Sequence, residues 1–176
     1  MEVSAIISFL AANAAAAPFV ATALAAAETT AFLSVLIPST ALLVAVGAAV
    51  SSGALTFLPI WAGATIGAIA GSTLSFAIGR MFGERILAFG WMQRHAAPIQ
   101  HARDLFARWG LFAIVLGHFL GPLRPVVFLL AGVSGMKVLP FLVVNTSAAA
   151  AWAFMVPKSG ELGGDLLGWL WGLFGA

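Results

Sequence analysis

Four long segments of the chain are almost free of charge, and they cover residues 3–27, 29–79, 109–136 and 138–157. A membrane-spanning helix needs about 20 apolar residues. The first and last segments therefore each predict one spanning helix, and the second is too long for one. The pattern predicts an all-α integral membrane protein. A signal peptide is the alternative for residues 3–27, but the basic region that precedes such a peptide is absent.

The segment 29–79 divides at two places. Pro38-Ser39-Thr40 interrupts its first part, and Ser51-Ser52-Gly53 has the composition of a loop. The remainder, Leu55 to Ile78, predicts a spanning helix, with glycines spaced by four that allow another helix to approach closely. After the last spanning helix, Lys158-Ser159-Gly160-Glu161 is expected to form a turn.

The segment 109–136 is interrupted near its middle by Gly121-Pro122. Proline lacks an N–H and clashes with the preceding turn of a helix, but it is accepted in the first turn of a new one. The chain is therefore expected to turn back inside the membrane. Apolar segments broken by proline in both halves of a small protein indicate an inverted repeat. We predict two opposed re-entrant helical hairpins, at about 29–54 and 109–136; a spanning helix kinked at Pro38 is the alternative for the first.

The loop 80–108 holds five of the eight basic residues and only two acidic ones. By the positive-inside rule it is cytoplasmic. Its second half has apolar residues at helical spacing, which predicts an amphipathic helix in the membrane interface. With this loop inside, Val3 to Ala27 runs from inside to outside. The hairpins then enter from opposite faces, and their tips approach each other near mid-bilayer.

Composition narrows the functional classes. The chain is 62% hydrophobic and 8% charged, with a mean hydropathy of +1.07, whereas soluble domains are about 45–50% apolar. Residues 1–176 are expected to form a single membrane domain. Cysteine is absent and the three histidines are dispersed, so we expect no metal site and no cofactor. No catalytic triad and no basic stretch with interleaved aromatics occurs, so we expect neither an enzyme nor a nucleic-acid partner.

Arg124 is the only formal charge in the segment 109–136. A charged side chain at the bilayer centre costs about 2.5–3.5 kcal/mol on insertion scales. A guanidinium donates two parallel hydrogen bonds to phosphate oxygens, and bare N–H groups after Gly121 and Pro122 would also attract an anion. These features predict a phosphate site. A structural ion pair between Arg124 and Glu28 is the alternative.

Other polar residues are weaker candidates. His118 could change its charge near neutral pH, because the unperturbed pKa of histidine is about 6.5, or it could be a neutral histidine bonded to a carbonyl. Glu28 is either a proton carrier or the polar end of the first helix. Ser39 and Thr40 could cap a helix or contact phosphate. Arg80 fits an interfacial anchor better than a ligand, and Asn145 fits a bond to a neighbouring helix.

A set of motifs matches a known family. The runs Phe106-x-Arg108-x-Gly110, Gly117-x-Phe119-x-Gly121-Pro122-x-Arg124-Pro125 and Ala131-Gly132-x-x-x-Met136, with Phe141, Asn145 and Trp152, resemble the DedA family, which is also described by its VTT domain. Upstream, Glu28, Pro38, Gly47, Gly67 and Gly71-x-x-x-x-Phe76-x-x-Gly79-Arg80-x-x-Gly83 extend the match. The resemblance covers about residues 28–165.

The resemblance implies two facing re-entrant hairpins in a multi-pass protein of the bacterial cytoplasmic (inner) membrane. It also implies translocation of lipid phosphates, with undecaprenyl phosphate as the leading substrate and phospholipids as others, coupled to the proton gradient. The family commonly carries two acidic residues and an arginine at positions where this chain has Thr40, Ser72 and His118. The implied proton coupling is therefore in question for this chain.

Together these observations predict a flippase for a polyprenyl phosphate. Arg124 and the backbone after Pro122 would hold the phosphate, His118 would adjust the charge of the site, and Glu28 would exchange a proton or balance Arg124. A non-transporting assembly or scaffold protein is the main alternative, and a proton or ion channel is a third. The sequence leaves a homo-oligomer open.

Overall fold

The structure is a computed structural model. It describes residues 13–31, 43–44, 46–47, 49–50, 53, 55–83, 85, 90 and 96–174. The predicted first hairpin tip, Pro38-Ser39-Thr40, lies outside the described residues. Within them every element is helical, which agrees with the predicted all-α class.

Six α-helices make up the described part of the chain. They are α1 Ala17–Thr29, α2 Phe57–Phe82, α3 Ala96–Trp109, α4 Phe112–Gly117, α5 Arg124–Val133 and α6 Val138–Phe174. Short 3-10 turns precede α1, at Ala14–Ala16, and α5, at Gly121–Leu123. The isolated described positions between 43 and 50 are also helical.

Two helices are long and apolar enough to cross a membrane, Phe57–Phe82 and the part Val138–Gly160 of α6. Both are candidate spans, and they coincide with the helices that hydropathy predicted at Leu55 to Ile78 and Val138 to Pro157. The apolar stretches Ala14–Thr29 and Arg124–Val133 are shorter; at 1.5 Å per residue they are about 24 Å and 15 Å long, against a hydrocarbon core about 30 Å thick. The fold thus combines two full-length helices with two shorter ones.

The predicted turn after the last spanning helix is wrong. Residues 158–161 are helical, and α6 continues through Pro157 to Phe174. A Cβ on Gly160 would come within 2.0 Å of the carbonyl oxygen of Val44. The backbone of α6 therefore packs directly on the segment 43–50 at this point. Gly160 allows the two backbones to approach closely. Glycine is common both at such contacts and in turns, so composition alone does not distinguish the two.

Helices α1 and α2 run in the same direction in close contact. A Cβ on Gly63, Gly67 or Gly71 would collide with successive backbone carbonyls of α1, those of Pro18, Thr22 and Ala26. The sequence-based topology placed these helices in opposite directions, so for residues 17–29 that expectation is wrong. Hydropathy shows that a segment is apolar, but it does not show whether the segment crosses the membrane or ends inside it.

The amphipathic helix predicted in the loop 80–108 is present as α3. Phe106 on this helix packs against apolar residues of α5, including Leu129 and Leu130 in one cluster and Phe128 in another. The loop thus contributes to the packing of the second half of the protein. Its cytoplasmic location stays a prediction.

Candidate functional site at the Arg124–Glu28 pair

The helix is interrupted between α4 and α5, as the Gly121-Pro122 sequence predicted. Gly121 has φ +50°, a left-handed conformation that glycine adopts without strain, and a 3-10 turn leads into α5 at Arg124. The N–H groups of Leu123 and Arg124 donate to the carbonyls of Leu120 and Gly121. The expectation that they would be bare is therefore wrong, because the 3-10 turn satisfies them.

Arg124 is 1% exposed and has two charged or aromatic neighbours. Its Nη1 lies 3.2 Å from Oε1 of Glu28, and its guanidinium carbon lies 4.2 Å from the centre of the Trp152 ring. Among the described residues, Nε and Nη1 of Arg124 have no hydrogen-bond partner. Nη1 is thus at ion-pair distance from Glu28 without the alignment that a hydrogen bond requires.

Glu28 is held in place by the end of α1. Ser75 on α2 accepts a hydrogen bond from the Ala31 N–H and donates to the Thr29 carbonyl, both at 2.8 Å. A Cβ on Gly71 would meet the Thr29 hydroxyl at 2.2 Å. Because Gly71 and Ser75 lie near the middle of α2, α1 ends at mid-depth of the spanning helix, and its last turn presents Glu28 to Arg124.

A second buried polar group lies beside this pair. His118 Nε2 is 3.0 Å from Asn145 Oδ1, and Asn145 Nδ2 donates to Ser72 Oγ at 2.8 Å. All three residues are fully buried. The His118 ring packs on Phe128 at 4.8 Å between centroids, and Phe128 lies one helical turn after Arg124. Phe128 and Arg124 share α5, and Asn145 shares α6 with Trp152, which stacks on Arg124, so the same two helices hold His118 and Arg124.

Comparison with known proteins shows which family the chain belongs to. The VTT domain model matches residues 37–162, well over half of the chain. The chain belongs to the DedA (VTT-domain) family. The expected membership is thereby confirmed. No solved structure matches.

Three inner membrane proteins of Escherichia coli K12 are among the relatives of this DedA-family chain. YghB is 33% identical over 125 residues, 70% of this chain and 57% of YghB. YabI is 28% identical over 71% of this chain and 49% of YabI, and YqjA 28% over 72% and 58%. The chain spans about half the length of these relatives. Their names support a bacterial inner membrane location.

The structure brings together four of the predicted site residues of this DedA-family member. Arg124, Glu28, His118 and Asn145 are all buried, and they lie at the ends of α1 and α4, the start of α5 and the first quarter of α6. The predicted bond of Asn145 to neighbouring helices is confirmed. The Glu28–Arg124 pair, an open alternative from the sequence, is present.

Other predicted site residues lie elsewhere. Arg80 is exposed, and its Nη1 donates to the Met136 carbonyl at 2.8 Å, so it joins the ends of α2 and α5. Ser39 and Thr40 lie outside the described residues. In the described part of the chain no group of three or more His, Asp or Glu residues could hold a metal ion.

Sequence reasoning did not identify Trp152 and Ser72 as site residues. Asn145 and Trp152 are seven residues apart on α6, which places them on one helical face. That spacing and the place of Trp152 in the family motif were the available signals for it. For Ser72 the signal was that the family commonly carries an acidic residue at this position, but its bond to Asn145 joins residues 73 positions apart.

The buried stacking of Arg124 on Trp152 is expected to stabilise the fold. Cation–π contacts are worth about 2 kcal/mol or more when desolvated and about 0.5–1 kcal/mol when exposed. Trp152→Leu should lower the free energy of unfolding by about 3 kcal/mol, including lost packing, and Trp152→Phe by less. Trp109→Leu is the matched control, because Arg108 lies 5.9 Å from a half-exposed Trp109 ring. Chemical unfolding in detergent measures both; equal losses in the two Leu variants would contradict this role.

Proposed function

We propose that this protein is a flippase for a lipid phosphate, with a polyprenyl phosphate such as undecaprenyl phosphate as its leading substrate. The observation that carries the proposal is Arg124, which is almost fully buried and has Nε and Nη1 without a hydrogen-bond partner among the described residues. A buried donor left unpaired costs about 1–3 kcal/mol. Phosphate oxygens are suitable acceptors for such donors.

Two nitrogens of Arg124, Nε and Nη1, have no hydrogen-bond acceptor among the described residues. Trp152 covers a face of the guanidinium, and Glu28 approaches at ion-pair distance through Nη1 alone. A guanidinium cannot be deprotonated in a protein, so it stays a donor at any relevant pH. A phosphate that accepts hydrogen bonds from Arg124 would gain charge-assisted bonds and would compete with Glu28 for the same cation.

The proposal places the site between two re-entrant hairpins. In this arrangement the first hairpin begins earlier than the range 29–54 predicted from the sequence: its arms are α1 and the segment 43–50, and α4 and α5 are the arms of the second. The start of α1 lies beside the start of α2, since Ala14, Pro18, Thr56 and Pro59 line one cleft. The chain would then enter and leave the first hairpin on the same side of the membrane.

Two pairs of glycine contacts support an inverted repeat. A Cβ on Gly132 would meet the Phe76 carbonyl, and one on Gly79 would meet that of Leu129, each at 2.0 Å. Gly132 thus faces the carbonyl three residues before Gly79, and Gly79 faces the carbonyl three residues before Gly132. Helices α2 and α5 therefore make equivalent contacts with each other.

The same reciprocal pattern joins α6 to the segment 43–50. Gly47 would meet the Pro157 carbonyl at 1.9 Å, and Gly160 would meet that of Val44 at 2.0 Å. Again the carbonyl that each glycine faces lies three residues before the other glycine of the pair. The second arm of each proposed hairpin thus packs on the spanning helix of the opposite half, and the two halves would enclose the Arg124–Glu28 pair at mid-depth.

Translocation by this route moves only the head group through the protein, while the polyprenyl tail stays in lipid. No covalent bond is made or broken. With the loop 80–108 cytoplasmic, the second hairpin would open to the cytoplasm and the first to the outside, which gives the phosphate access from both. Glu28 and His118 are the groups that could exchange a proton during the cycle.

The Glu28–Arg124 ion pair favours one alternative, a non-transporting scaffold in which the pair is purely structural. A channel would instead show conductance in planar bilayers without any lipid phosphate. Arg124→Lys separates transport from scaffolding, because lysine can keep the ion pair with Glu28 but donates as a point charge and cannot form two parallel bonds to one phosphate.

In proteoliposomes, the unmodified protein is expected to move a labelled short-chain polyprenyl phosphate, and Arg124→Lys to be slower by at least about tenfold, or 1.4 kcal/mol in barrier height. Arg80→Lys, at an exposed arginine bonded to a carbonyl, is the control and should keep full activity. Transport by Arg124→Lys at the unmodified rate, or none by folded unmodified protein, would exclude the proposal.

A further inference from the structure

The buried hydrogen-bond chain from Ser72 to His118 has a defined direction. Ser72 Oγ lies 2.6 Å from the Ala68 carbonyl oxygen, which can only accept, so the serine hydroxyl donates there. Ser72 Oγ then accepts from Asn145 Nδ2. The amide oxygen of Asn145 therefore faces His118, and because a carbonyl oxygen cannot donate, His118 Nε2 must carry the ring proton.

This direction leaves Nδ1 of His118 as an acceptor. In the neutral ring only one nitrogen carries a proton, so Nδ1 has a free lone pair. His118 is 0% exposed, and its Nδ1 has no hydrogen-bond partner among the described residues. Asn145 and Ser72 thus hold a buried histidine in the tautomer that offers an acceptor to a ligand, and it contacts the same two helices, α5 and α6, that hold Arg124.

The charges around His118 favour a ligand with little negative charge. Arg124 on α5 and Glu28 on α1 neutralise each other. On α2 the titratable group is Arg80, which bonds to Met136, and on α6 the nearest is Lys158, about 20 Å along the helix from Asn145. On α4 there is none, and on α3 the charged residues Arg103, Asp104 and Arg108 are exposed. A dianion in this buried, net-neutral group would be solvated less well than a monoanion.

We infer that His118 Nδ1 accepts the hydroxyl hydrogen of a singly protonated phosphate monoester, whose charged oxygens bind Arg124. The site then selects the P–OH monoanion, and the proton enters and leaves with the substrate. A phosphodiester carries the same charge but has no P–OH group, so it leaves Nδ1 unpaired. This inference rests on the proposed function. It adds the protonation state of the bound substrate and names His118 as the residue that recognises that state.

Two ligands with the same tail test this inference, a short-chain prenyl phosphate and its methyl diester. With ¹⁵N-histidine protein in nanodiscs near pH 6, NMR reports which ring nitrogen of His118 carries a proton, and the signal is assigned by its absence in His118→Phe. Without ligand, we expect a protonated Nε2 and a free Nδ1. The monoester should shift Nδ1 alone and bind at least about tenfold more tightly than the diester.

The pH dependence adds a second readout. The second pKa of a phosphate monoester is about 6, so apparent affinity for the monoester should fall about tenfold per pH unit above that value. Diester affinity should stay level. If His118 instead bound phosphate as an imidazolium, the diester would also bind more tightly at low pH, so the diester separates the two mechanisms.

Each outcome of these binding and NMR measurements either supports or overturns the inference. A shift of Nδ1 with the monoester alone and a clear preference over the diester support the inference. Equal binding of both ligands, lost in Arg124→Lys and without a change at Nδ1, overturns the inference and leaves the proposed function standing. A protonated Nδ1 in the free protein also overturns it. Binding of neither ligand to folded protein overturns both.

Discussion

Arg124→Met is expected to destabilise the protein by about 3–5 kcal/mol, and the added substitution Glu28→Gln is expected to recover most of that loss. Removing one partner of a buried ion pair leaves the other charge uncompensated, whereas replacing both partners by neutral groups is often neutral or stabilising. Glu28 is 6% exposed and Arg124 1%. Thermal or chemical unfolding of the single and double variants in detergent measures the coupling.

The double variant also separates stability from function. If Arg124 serves only the ion pair, the refolded double variant should keep whatever activity the unmodified protein has. We expect it instead to be folded and unable to move a polyprenyl phosphate. Recovered stability together with recovered transport would show that the phosphate does not need Arg124.

Gly132→Ala is expected to destabilise the protein by about 2 kcal/mol or more. Its new Cβ would lie 2.0 Å from the Phe76 carbonyl oxygen and 2.7 Å from the Arg80 nitrogen, and both are backbone atoms that move only if α2 and α5 separate. Overpacking of this kind costs about 1–3 kcal/mol and occasionally more, which exceeds the gain of about 1 kcal/mol in helix propensity from glycine to alanine.

Gly163→Ala is the matched control for this substitution. Gly163 is also helical, and a Cβ there would meet nothing within 4 Å among the described residues, so the change should be neutral or slightly stabilising. Unfolding of both variants under the same conditions tests the difference. A Gly132→Ala protein as stable as Gly163→Ala would mean that α2 and α5 do not pack as described.

Hydropathy and proline placement predicted much of the fold. Spanning helices at Phe57–Phe82 and Val138–Gly160 follow from their length and lack of charge, and the break before Arg124 follows from Gly121-Pro122. These features are local, because each depends on residues close together in the chain. The direction of α1 and the helical continuation through Pro157 were missed, since both depend on close contacts between distant backbones.

The sequence identified the charged and titratable residues of the site, but it did not predict how they are arranged. A charge in an apolar segment is conspicuous, so Arg124, Glu28 and His118 were identified as candidates. The bonds that orient them join Ser75 to Thr29 and Ser72 to Asn145, and they connect residues 46 and 73 positions apart. Serine in an apolar helix has an ordinary local role, a bond to the carbonyl four residues earlier, and both serines make that bond as well.

Each buried polar group of the site has its own structural partner. Trp152 and Glu28 hold the guanidinium of Arg124, Ser75 fixes the end of the helix that carries Glu28, and Asn145 fixes the ring of His118. The shorter apolar helices α1 and α5 pack against the longer α2 and α6. This arrangement encloses hydrogen-bond donors and an acceptor among buried residues.

The central claim is that Arg124 holds the phosphate of a membrane lipid, and a ³¹P–¹⁵N distance tests it most directly. Protein with ¹⁵N-labelled arginine would be reconstituted with a short-chain polyprenyl phosphate, and solid-state NMR would measure the dipolar coupling of guanidinium nitrogens to phosphorus. The account predicts a phosphorus atom within about 4 Å of a guanidinium, the distance of charge-assisted hydrogen bonds, and loss of that coupling in Arg124→Lys. A coupling that survives in Arg124→Lys, or none in folded unmodified protein with the lipid present, would contradict it.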